Sequence, residues 1–124
     1  MKRAHPEADI QRAVVAYLHA VLVPGSVVHA SGHELRAHGP HARRMQGIAT
    51  GMGAHKGWPD LVVLSGLKVA FLEVKAEGGR LTPEQQAFAE LARAQGHSFD
   101  VVRSVEDARE ALADAGIWTR EVTA

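Results

Sequence analysis

Glu73 and Lys75 stand two residues apart in the stretch "FLEVKAEGG" (71–79). Phe71, Leu72 and Val74 read as buried β-strand, and strand side chains alternate faces. Glu73 and Lys75 therefore share one face, and Leu72 and Val74 the other. A carboxylate and an ammonium on one face can be an ordinary surface ion pair, the commoner arrangement for such a pair alone. They can also begin a site for phosphate chemistry, the carboxylate as a metal ligand and the ammonium holding a water or phosphate oxygen. The residues upstream weigh on that choice. In "DLVVLSGLKVAFLEVKA" (60–76) the pair Gly66-Leu67 reads as a two-residue hairpin turn, with Gly at the first central position of type II′. Ser65 then pairs with Lys68, and the register places Asp60 directly opposite Glu73 on the same face, Cβ atoms about 5 Å apart. Opposed like charges destabilise a sheet, and a cation between them removes the penalty. Two carboxylates plus waters suit Mg²⁺, which also accepts phosphate oxygens. The spacing thus predicts Asp60 and Glu73 as metal ligands with Lys75 beside them. A turn longer or shorter by one residue would break the pairing.

Two helices carry polar side chains toward the same chemistry. The first should begin near Pro6, a favoured first-turn residue, and run to about Leu22 before "VPGS". On a helical wheel Ile10, Val14, Tyr17, Leu18, Val21 and Leu22 fill one arc, and Glu7 and Gln11 fall within it, one turn apart. Polar groups aimed at a core need partners; alternatively, both lie in the first two turns, where the stripe already faces solvent. The second helix, "LTPEQQAFAELARAQG" (81–96), has marked ends: Thr82 as N-cap, Pro83 at N1, Gln85 completing a capping box and Gly96 as the stop. Gln85 shares the buried face with Leu81, Phe88 and Ala92, whereas Gln86 lies outside. Gln85 is therefore the glutamine expected at a site, with the capping box as its other, compatible role.

The remaining elements are strands at "SVVHA" and "FDVVR" and a last helix in "SVEDAREALADAG", capped by Ser104 and ended by Gly116. The order is α-β-(loop)-β-β-α-β-α, which predicts an α/β protein with helices around a mixed sheet. Residues 31–57, rich in Gly, His and Arg, read as a long loop.

Size and composition set broad limits. At 124 residues, 46% hydrophobic and 23% charged, the chain is expected to form one domain (1–124) with a real core. It has no cysteine, hence no disulfide framework and no Cys-based zinc site. No apolar run is long enough to span a bilayer and "MKRAHPEADI" has no signal-peptide core, so no membrane association and a cytoplasmic location are expected. Net charge is zero, but Arg36, Arg43, Arg44 and Lys56 face a single acid, Glu34, between Val27 and Pro59. That segment is either a solvated loop or a polyanion footprint.

Glu7-x3-Gln11, "GWPDL" (57–61), "FLEVKAEGGRLTPEQQAF" (71–88) and "VVRSVEDA" follow one another in an order that resembles the virus-type replication-repair nuclease domain, VRR-NUC, of the PD-(D/E)XK nuclease superfamily. The likeness spans about residues 5 to 112. It implies a restriction-endonuclease-like fold, a mixed β-sheet flanked by helices with an α-β-β-β-α-β core plus a C-terminal helix. It also implies cleavage of DNA phosphodiesters with Mg²⁺ or Mn²⁺. By motif position, Asp60 and Glu73 would ligate metal, joined by the Val74 carbonyl. Lys75 would position or activate the attacking water. Glu7 would contribute directly or through water, with Gln11 and Gln85 in support. Short stand-alone members resemble structure-specific nucleases that act as homodimers on branched DNA, including Holliday junctions, in replication, repair and recombination. Arg43, Arg44, Lys56 and Arg80 are the basic residues expected to meet the DNA backbone.

Two other classes compete. Eight histidines, five of them between His29 and His55, invite a zinc hydrolase. However, "HELRAH" (33–38) spaces its histidines by five, which on a helix points them roughly 140° apart. As loop residues, His41 or His55 would touch phosphate more strongly at lower pH. A non-catalytic DNA-binding module on the same fold is the other alternative. Against it, opposed acids would repel phosphate in the absence of a metal. Ile117 and Trp118, past the last helix, either cap the core or meet a partner.

Overall fold

The computed structural model describes residues 6–31 and 55–121. In chain order the elements are α1 (Pro6–Val21), β1 (Val27–Ala30), β2 (Leu61–Ser65), β3 (Lys68–Val74), α2 (Pro83–Ala94), β4 (Ser98–Val102) and α3 (Val105–Ala115). The loop expected over 31–57 lies mostly outside the described residues, as do Arg43, Arg44 and His41. Among the described residues no helix is long and apolar enough to cross a membrane.

The four strands lie in chain order as one mixed sheet. β1–β2 and β2–β3 are antiparallel, and β3–β4 is parallel, with α2 as the crossover. Ser65 pairs with Lys68 and Leu61 with Leu72, the register that a two-residue turn at Gly66-Leu67 requires. Gly66 has φ 60° and, among the described residues, no non-glycine residue has positive φ, which fits type II′.

Alternation along the strands builds two layers. Leu61, Val63, Ala70, Leu72 and Val74 face α1 and α3, where they pack with Val14, Leu18, Ala108, Leu112 and Ile117. Val62, Phe71 and Phe99 face α2 and meet Phe88, Ala89 and Ala92. Ile117 thus closes the core, whereas Trp118 is exposed.

The caps read from the sequence are present. Thr82 N donates to Gln85 Oε1 at 2.9 Å, and Gln85 N donates to Thr82 Oγ1 at 3.2 Å. Ser104 Oγ accepts from Asp107 N, and Gly116 ends α3 in the left-handed region.

Candidate active site

The site begins with the hairpin. Continuing the β2–β3 ladder one residue past Leu61 and Leu72 sets Asp60 opposite Glu73, on the sheet face covered by α2. Pro59 is buried and Asp60 immediately precedes β2. The Asp60 carboxylate reaches across to β3, where Oδ2 accepts from Val74 N at 2.8 Å. One metal-type acid is thereby tied to the backbone beside the other.

Glu73 is 2% exposed. Its Oε2 accepts from Gln85 Nε2 at 3.2 Å and lies 3.5 Å from Lys75 Nζ. Its Oε1 is buried with no hydrogen-bond partner. Burial first, and then the negative charge of Asp60, push the Glu73 carboxyl up from 4.5 to about 8; the Lys75 ammonium opposes the shift without cancelling it. Gln85 therefore has two simultaneous jobs. Its carbonyl oxygen completes the helix cap and its amide nitrogen orients Glu73.

The "GWPD" segment is held against α2 by close packing. Gly57 has φ +87°, and a Cβ there would stand 2.4 Å from the Glu84 carbonyl oxygen. Trp58 packs edge-on against Phe71 and Phe88, at centroid distances of 5.6 and 5.0 Å. His55 does the same against Phe88 at 5.7 Å. Lys56 lies 3.5 Å from Glu84, both side chains largely exposed.

The loop after Lys75 is pinned from β4. Arg103, just past that strand, donates through Nη1 to Ala76 O at 2.6 Å and through Nη2 to Gly79 O at 2.9 Å. Its backbone N–H donates to Asp107 Oδ2 in the first turn of α3. Arg103→Ala is expected to lower stability by about 2 kcal/mol, the scale of charge-assisted bonds to carbonyls. It should also accelerate amide hydrogen exchange in 76–79 while leaving exchange in β3 unchanged. Unaltered exchange in that loop would refute the clamp.

Asp60, Glu73, Lys75 and Gln85 therefore come together. Glu7 stands apart from them: it is exposed, and its Oε2 is 3.5 Å from Ala76 N, one residue beyond Lys75. Gln11 is half-buried on the next turn and makes no hydrogen bond to these residues. Their place in the first two turns of α1, where the apolar stripe thins toward solvent, accounts for both. Arg80 is exposed in the turn before α2.

Sequence reasoning gave no role to Arg103 or to the Gly57 packing. The resemblance did include both residues within its motifs, but their partners are distant in sequence and leave no local signal.

The donor set suits a hard divalent cation. Asp60 and Glu73 offer carboxylate oxygens, one of them buried and unpartnered, and a magnesium-type ion commonly takes one or two carboxylates and keeps its waters. Among the described residues no three His, Asp or Glu side chains are grouped to hold a metal, so zinc finds no three-ligand site there.

The chain is similar to known proteins over most of its length. A family model described as the VRR-NUC domain matches residues 25–106, more than half of the chain. No curated protein sequence gives a match. A solved structure described as a "VRR_NUC domain protein" superposes with a TM-score of 0.65 at 20% identity, over 93% of this chain and 90% of that one. Another, described as a "VRR_NUC domain", gives 0.54 at 24% identity, over 88% and 95%. At those identities the two structures speak for the fold.

Proposed function

Since the chain belongs to the VRR-NUC domain family, a nuclease-type domain of the PD-(D/E)XK superfamily, we propose that it is a deoxyribonuclease dependent on Mg²⁺ or Mn²⁺. The observation that carries this reading is the buried, unpartnered Glu73 Oε1 beside Asp60, with the Lys75 ammonium 3.5 Å from the other Glu73 oxygen. Asp60 and Glu73 hold the cation, with the Val74 carbonyl as a further oxygen and Glu7 contributing through water. When bound, the cation supplies charge neutralisation at the phosphate and acidifies water.

The protein's own groups do the positioning. Gln85 fixes the rotamer of Glu73 through its amide. Val74 N–H fixes Asp60. Lys75, whose side chain is only 11% exposed, is held at the mouth of the site by Glu73. Its ammonium donates to the attacking water or to a phosphate oxygen and counters the charge that grows in the transition state. Gln11 supports Glu7 from the next helical turn. Lys56 and Arg80, with Arg43 and Arg44, meet the DNA backbone, and Lys56 exchanges its exposed Glu84 partner for phosphate.

The substrate proposed is branched DNA such as a Holliday junction, cut by a homodimer whose two-fold symmetry matches paired incisions.

The test is cleavage of labelled duplex, flap, single-stranded and four-way-junction DNA with Mg²⁺, Mn²⁺ or EDTA. Wild type is expected to cut with either metal and not with EDTA, and Lys75→Ala to lose at least about 100-fold. Equal cutting by Glu73→Ala or Lys75→Ala would refute the assignment. Binding without cutting in any metal would instead favour a DNA-binding module. Light scattering reads the oligomeric state.

A further inference from the structure

The β1–β2 ladder, continued one residue past Ala30 and Leu61, sets Ser31 opposite Asp60, and Ser31 N donates to Asp60 O at 2.9 Å. Directly opposed residues project from the same sheet face. Ser31, Asp60 and Glu73 therefore form one row across three strands, on the face that carries the candidate site. Among the described residues only two buried side-chain polar atoms lack a hydrogen-bond partner, Ser31 Oγ and Glu73 Oε1. Both belong to this row, one on each side of Asp60.

Buried polar atoms are nearly always satisfied, so two orphans in one row point to something that joins them. A serine elsewhere on the same strand pair shows the ordinary outcome: Ser26 Oγ and Ser65 Oγ bond each other at 2.9 Å. Ser31 stands beside a carboxylate, an obvious acceptor when ionised, yet makes no bond to it. A hydrated divalent cation meets both needs. It takes an oxygen of Glu73 directly, and its waters turn their hydrogens outward to any nearby lone pair.

We propose that Ser31 is a positioning residue of the cation site, its Oγ accepting a hydrogen bond from a hydration water of the ion held by Asp60 and Glu73. Ser31 thereby sets cation affinity from the strand opposite Lys75. This rests on the divalent-cation reading above.

The test is calorimetric titration of the full chain with Mn²⁺ alone, paired with the melting temperature of the metal-free protein, for wild type, Ser31→Ala, Ser31→Thr and Glu73→Gln. Loss of a partner of this kind weakens metal affinity by about 10–100-fold. Ser31→Ala is expected to bind Mn²⁺ that much more weakly, and Ser31→Thr, which keeps the hydroxyl, to recover most of the loss. The melting temperature of metal-free Ser31→Ala should be equal to or above wild type, because no protein bond is broken. Wild-type affinity in Ser31→Ala would overturn the proposal while the cation reading stands. A clear fall in its metal-free melting temperature would also overturn it, by showing that the hydroxyl serves the fold. No Mn²⁺ binding by wild type would remove both readings together.

Discussion

Glu73→Gln is expected to abolish metal-dependent cleavage and, in the metal-free protein, to raise the melting temperature. The loss of activity follows from removing an anionic ligand. A catalytic cation supplies several kcal/mol of charge stabilisation, so its loss means about 10³-fold or more in rate. The gain in stability follows from the raised Glu73 carboxyl. In the unfolded chain this group ionises near 4.5, but in the fold only near 8. Between those values the folded protein keeps a proton that the unfolded chain has released. Stability therefore falls as pH rises through this window and levels off above it. Glutamine cannot ionise, and it keeps a carbonyl for Gln85 and an N–H₂ to offer Asp60. The expected advantage over wild type is near zero at pH 4.5 and grows to about 4–5 kcal/mol by pH 8.5, on the order of 15 °C in melting temperature. Added Mn²⁺ should reverse the order, because it stabilises only the protein that binds it. Melting curves at pH 4.5, 6.5 and 8.5, with and without Mn²⁺, read both effects. A variant less stable than wild type at pH 8.5 without metal would contradict the electrostatic account of the acid pair.

Gly57→Ala should be the most damaging small substitution in the "GWPD" segment. The new Cβ would meet the backbone carbonyl of Glu84 at 2.4 Å, and a backbone oxygen in a capped helical turn cannot swing aside as a side-chain tip can. Left-handed φ adds strain for any L residue with a side chain. Overpacking and strain together are expected to cost about 3 kcal/mol, measured by urea unfolding. The relief available is for the segment to lift off α2, which would carry Asp60 away from Glu73. Mn²⁺ affinity should then fall along with stability, although residue 57 has no ligand atom. A loss below about 1 kcal/mol would show that the approach to Glu84 is looser than described.

These effects also show which parts of the molecule could be read from the chain. The hairpin register was legible because Gly66 restricts the turn and a turn of known length fixes every pairing behind it, Asp60 with Glu73 included. The α2 and α3 starts were legible because capping chemistry is local. Tyr17 illustrates the opposite case. The wheel put it on the apolar arc of α1, but its hydroxyl donates to Glu121, and that carboxylate also takes Arg109 Nε at 2.7 Å. Burial pushes the Tyr17 hydroxyl up to about 12. No spacing rule announces a tyrosine met by the chain's last turns. Ser31 was hidden for a related reason. Its partner strand begins only after the long 31–57 segment, so nothing short in sequence sets the β1–β2 register. Glu7 was placed on the inner arc by helical periodicity, and periodicity says nothing of how far a core extends along the helix axis.

Gln85 joins the cap of α2 to Glu73, and Asp60 joins the opening of β2 to the amide of Val74. The acid pair, the ammonium and the orienting amide thus all come from the single stretch Asp60 to Gln85. In kinetic terms this is a site of short loop closures, a two-residue turn and one capped helical turn, which need little chain entropy to form. The β1 edge, with Ser31, must instead be recruited across a far longer closure. The opposed acids are thus set facing each other by local closures alone, and in that row only Ser31 depends on the long one.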